Sequence, residues 1–88
     1  MLNTQQAKFP YEKAKVLAAE SIRSDRGIIA TAIGYHNEGD GKVTIYLLGN
    51  DGSRWVREFI LLNTETSEKW FMVIGPYGGV DARFRVLE

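Results

Sequence analysis

One stretch limits what this chain can become more than any other. Lys42 to Leu62 reads as a β-hairpin, with KVTIYLL and RWVREFILL on either side of Gly49-Asn50-Asp51-Gly52-Ser53. In the first arm Val43, Ile45 and Leu47 alternate strictly with Lys42, Thr44 and Tyr46, the period of a strand with one buried face. Asn, Asp and Gly tolerate the positive φ of tight hairpin turns, so Asn50-Asp51-Gly52 predicts where the chain reverses. The hairpin commits the fold to an antiparallel sheet, and no catalytic or ligand-binding signature comes with it.

The flanking segments supply the rest of a small α+β domain. Residues 1–8 are polar and are expected to fray. From Pro10 to about Ser24 the chain reads as a helix, because Pro is favoured in the first turn and YEKAKVLAAESIR is rich in helix formers. At 100° per residue Tyr11, Ala14, Leu17, Ala18, Ser21 and Ile22 share one arc, opposite Glu12, Lys13, Glu20 and Arg23. Gly27 is expected to cap it in the left-handed conformation. In GIIATAIGYHN, Ile29, Thr31, Ile33 and Tyr35 alternate with Ala30, Ala32, Gly34 and His36, and the small Ala-Ala-Gly face invites a helix to lie close against it through Leu17. Asn37 to Gly41 reads as a loop, Asn63 to Ser67 as a polar connection, and EKWFMVIG as a fourth strand that is apolar on both faces. Gly75-Pro76-Tyr77-Gly78-Gly79 reads as a turn. In the fifth strand Val80, Ala82, Phe84 and Val86 are expected inward, with Asp81, Arg83 and Arg85 outward. The fold class is therefore α+β, one N-terminal helix on a four- to five-stranded antiparallel meander, with residues 1–88 a single domain.

Composition excludes several function classes. Eleven basic and eleven acidic residues cancel, whereas general nucleic-acid binding needs a surplus of cations to displace phosphate counterions. No cysteine is present, so neither a disulfide framework nor a thiolate zinc site exists, which is compatible with the expected cytoplasmic location. No apolar run reaches the roughly 18 residues that a membrane-spanning helix needs, and MLNTQQAKF lacks the basic-then-apolar order of a signal peptide.

No residues assemble into a convincing reaction centre. His36 is the only histidine, near Glu38 and Asp40, too few ligands for a typical transition-metal site. There is no nucleophile elbow, and GPYGG lacks the Lys and the helix that complete a phosphate loop. We expect no catalytic, metal or cofactor residues. Arg54, Arg57, Arg83 and Arg85 lie on strands close in sequence to Glu58, Glu68 and Asp81, a pattern of cross-strand ion pairs.

What remains is a surplus of apolar bulk. Trp55, Phe59 and Leu61 lie on one face of the third strand and Val56, Ile60 and Leu62 on the other, yet one helix covers only one face of a sheet. The Trp55 set, with Arg57 in its midst, is expected to form the open face. Tyr35, Tyr46, Trp55, Arg57, Phe59 and Trp70 are the candidate residues for a protein partner or a homodimer.

The leading helix, the run Gly41-x-Val43-x-Ile45-x-Leu47-x-Gly49-x-x-Gly52-Ser53 and the alternating segment at Trp70 together resemble the small domain of the cytochrome oxidase assembly factor one family, over residues 11–75. In outline they are also similar to the cystatin-like helix-on-sheet folds. The first resemblance implies a non-catalytic assembly or scaffolding factor, in that family typically membrane-tethered, and assigns no site residue. The expectation is thus a non-enzymatic protein-interaction module. Its rivals are a phage- or plasmid-type inhibitor of a host complex and a small-ligand or enzymatic domain with a pocket lined by Tyr11, Tyr35, His36 and Tyr46.

Overall fold

In the computed structural model, residues 8–63, 68–75 and 78–86 are described, apart from the side chain of Ala82. Residues 1–7 of the expected frayed tail 1–8, residues 64–67 of the polar connection 63–67, the centre of the turn at 76 and 77, and the end of the fifth strand at Leu87 lie outside them.

The helix α1 runs Tyr11–Arg26, two residues further than the sequence predicts, and Gly27 closes it at φ 72° with its N–H donating to the Arg23 carbonyl over 2.8 Å. Five strands follow: β1 Ala30–Gly39, β2 Lys42–Gly49, β3 Arg54–Asn63, β4 Glu68–Ile74 and β5 Gly79–Val86. Each pairs antiparallel with the next, giving the order β1-β2-β3-β4-β5. Every connection joins neighbours, so the sheet is the meander expected.

Ala14, Ala18 and Ile22 of α1 are fully buried, and Val43, Ile45, Leu47, Phe59, Trp70, Met72 and Val86 meet them from the sheet. Alanines at the contact let the helix axis approach the strands closely. The helix touches β1, β2 and β5, so both edges of the sheet reach it, and the sheet must curl around the helix to do so. Leu17 packs at the margin of this core rather than at its centre.

The β2–β3 turn forms where the sequence places it. Gly52 adopts φ 88°, its N–H donates to the Gly49 carbonyl over 3.0 Å, and the Asp51 carboxylate accepts the Ser53 N–H over 3.0 Å. The β1–β2 connection is tighter than the loop expected from Asn37 to Gly41. The strand continues through Gly39, and only Asp40 and Gly41 turn, both at positive φ (55° and 73°), as the primed hairpin turns require.

Irregular pairing overturns the expected alternation on both edge strands. In β1, Ala32 pairs with Leu47 but Gly34 pairs with Tyr46, leaving Ile33 as an extra residue. Such a bulge changes the parity of everything beyond it. Tyr35 therefore sits opposite the buried Ile45, on the helix side, and Gly34 leaves the face that was to receive Leu17. In β5, Val80 pairs with Val73 on the outer side and Asp81 pairs with the buried Met72, whereas Val86, opposite Trp70, is buried and Phe84 packs against the core as expected. The expected inward Val80 and outward Asp81 are thus exchanged, because three extra residues intervene between the two ends of the β4–β5 ladder.

Candidate functional site

The structure reverses which set of third-strand residues lies open. Phe59 is 0 % exposed beneath α1, with Trp55 and Leu61 packed beside it, whereas Val56 on the other face is 50 % exposed. The register explains this, since Trp55, Arg57 and Phe59 sit opposite Leu47, Ile45 and Val43, the core-facing residues of β2. The expectation that the Trp55 set forms the open face is corrected accordingly.

The uncovered outer face has two halves. Tyr46 and Val56 are direct cross-strand partners, flanked by the bulge residue Ile33 at 60 % exposure and by Leu48, also exposed. Between them lies a depression of about 460 Å³ bordered by Ile33, Tyr46, Arg54 and Val56. Toward the other end of β2 the face turns polar. Thr44, buried among longer neighbours, donates to the Glu38 carboxylate over 3.0 Å; His36 Nε2 lies 3.7 Å from Glu38, and Lys42 Nζ lies 3.8 Å from Glu58. Among the described residues no three His, Cys, Asp or Glu side chains converge on one point.

A second concavity, of about 580 Å³, opens where the end of α1 overhangs β3, β4 and β5. Arg57 stands in its wall, half-buried. Its Nε donates to Ser21 Oγ over 2.8 Å and its Nη1 to the Val56 carbonyl over 3.0 Å, while Ser21 Oγ donates to the Ala18 carbonyl over 2.7 Å. Burial pushes the Arg57 pKa down, the charge of Asp25 works against that shift, and Arg26 adds to it. Trp55 is held by its indole N–H, which donates to Ser53 Oγ over 2.7 Å, and carries the guanidinium groups of Arg26 and Arg57 at 5.6 and 5.9 Å from its ring. On the opposite wall Asp81, buried, accepts a two-pronged contact from Arg83 at 3.1 and 3.0 Å as well as the Arg83 backbone N–H. Those bonds hold the Asp81 carboxyl below its usual pKa.

The six candidate interface residues are dispersed by this arrangement. Tyr46 is on the outer face, Phe59 and Trp70 are in the core, and Trp55 and Arg57 line the cleft. Tyr35 lies at the rim of the helix side, its ring 4.7 Å from that of Tyr11 and 6.5 Å from that of Phe9. The imagined pocket of Tyr11, Tyr35, His36 and Tyr46 does not assemble, because His36 pairs with Thr44 on the outer face, where Tyr46 also lies. The cleft was missed by sequence reasoning, although Ser21, a hydroxyl in the apolar arc of the helix, is the signal that a polar partner waits on the sheet. Comparison of the chain with protein-family models, with curated proteins and with solved structures yields no match.

Proposed function

We propose that this protein is a small non-enzymatic interaction module that engages a protein partner, or a second copy of itself, through the outer face of its sheet. The observation that carries the reading is the cluster Ile33, Tyr46, Leu48 and Val56, four large apolar side chains held side by side in solvent by strand register rather than scattered. Arg54 borders the cluster, and an aromatic with Arg beside an apolar centre is the composition favoured at interfaces. The polar end, with Glu38, Lys42 and Glu58, would form the rim that sets orientation.

Val56→Glu tests the reading, because the side chain is half in solvent and its replacement leaves the core untouched. Sedimentation should show weakened self-association or partner capture, with circular dichroism unchanged. A folded variant that associates as the wild type does would remove this face from the interface.

A further inference from the structure

The cleft beneath the end of α1 invites a separate question, because it contains a half-buried cation that forms no ion pair among the described residues. We propose that this cleft binds a small oxyanion, a carboxylate or phosphate group on a compact organic body, gripped by the Arg57 guanidinium with Arg26 as the second cation. The proposal does not depend on the role of the outer sheet face.

Three observations converge on it. The Arg57 side chain is fixed by its bonds to Ser21 Oγ and the Val56 carbonyl, so its orientation is set before any ligand arrives. A guanidinium carries five N–H donors, and those two bonds leave the Nη2 edge without a partner among the described residues. No acidic group in the wall forms an ion pair with Arg57. Asp81 is held by Arg83, Glu58 faces Lys42 on the outer side, and Asp25, though its charge is felt, forms no ion pair with Arg57. A partly desolvated charge without a counter-ion is costly, and an anion drawn from solution would relieve that cost.

The second cation and the apolar surface define what kind of anion fits. Arg26 and Arg57 both lie against the Trp55 ring, at 5.6 and 5.9 Å from its centroid, and the ring is held by its bond to Ser53, so two positive charges are gathered at one aromatic group. Planar guanidinium groups match the paired oxygens of carboxylates and phosphates. Ile74 and Phe84 supply an apolar wall, and a volume of about 580 Å³ falls in the range of small-molecule sites.

The test is a nuclear magnetic resonance titration of the whole chain, following the Trp55 indole N–H and the Arg57 Nε–H. Inorganic phosphate and benzoate are the probes, with chloride at matched ionic strength as the reference. Saturable shifts at both signals are expected with at least one probe, with the Trp70 indole signal unmoved. Saturation by phosphate alone, by benzoate alone or by both supports the site and identifies which oxyanion it takes. Arg57→Gln should weaken binding about tenfold, the worth of a charge-assisted hydrogen bond, and Arg26→Gln about threefold. Shifts no different from those with chloride overturn the proposal, as does a folded Arg57→Gln variant that binds as tightly as the wild type. Should Arg57→Gln fail to fold, Arg26→Gln decides, and unchanged affinity there overturns the two-cation site.

Discussion

Replacing Phe59 by Ala, alongside Val56 by Ala three positions earlier on the same strand, measures directly which face of the sheet is the core. Phe59 is fully buried and meets the Phe9 ring edge-on at 5.7 Å. Removing its ring forfeits about 1.5–3 kcal/mol of transfer free energy and about 0.5–1.5 kcal/mol of aromatic contact, and leaves a cavity beneath α1. The total should be about 3–5 kcal/mol. A domain of 88 residues has roughly 4–13 kcal/mol of stability in all, so this single change should remove a large share of it. Val56, 50 % exposed and outside the core cluster, should cost no more than about 1 kcal/mol, the span of strand propensity. Urea unfolding followed by circular dichroism reads both, and with a slope of about 1–3 kcal/mol per molar the midpoints of the two variants should differ by about 1 M or more. Equal losses in the two variants, or a loss below about 1 kcal/mol for Phe59→Ala, would refute the assignment of the Trp55 set to the helix side.

Two further outcomes follow from the turn and from the buried carboxylate. Gly52 has φ 88° and no atom within 4 Å of where a Cβ would stand, so Gly52→Val should carry a purely backbone penalty of about 1–2 kcal/mol, more than Asn50→Ala. Equal, negligible changes in melting temperature would show that the positive φ is not required. Asp81 has its folded pKa lowered by Arg83, so its contribution is fully present above the ordinary value of 3.8 and is lost as pH falls through the lower folded value. Asp81→Asn should therefore be less stable than wild type at neutral pH and show a shallower loss of stability in acid; an unchanged acid slope would mean that the Arg83 contact does not matter to folding.

The elements that local chemistry dictates were legible in the chain itself. The central hairpin, its turn at Asp51-Gly52, the apolar arc Ala14, Ala18, Ser21 and Ile22 and the Gly27 cap depend on residues within a few positions of one another, where propensity and periodicity act. The sign of a face is a different matter. Alternation shows that Trp55, Phe59 and Leu61 share one side and Val56, Ile60 and Leu62 the other, but when both sides are apolar only the docked helix decides which is buried. The extra residue at Ile33 shifted Tyr35 to the helix side, and those in β5 exchanged Val80 with Asp81, because a bulge reverses parity without leaving a distinct pattern in the sequence. Arg57 stood out among the candidates by type alone. Its contact with Ser21, 36 positions away, and the shared Trp55 ring with Arg26 exist only because the curled sheet brings β3 under the end of α1. Tertiary packing thus turned an ordinary strand arginine into a fixed, half-buried cation at the wall of a cleft.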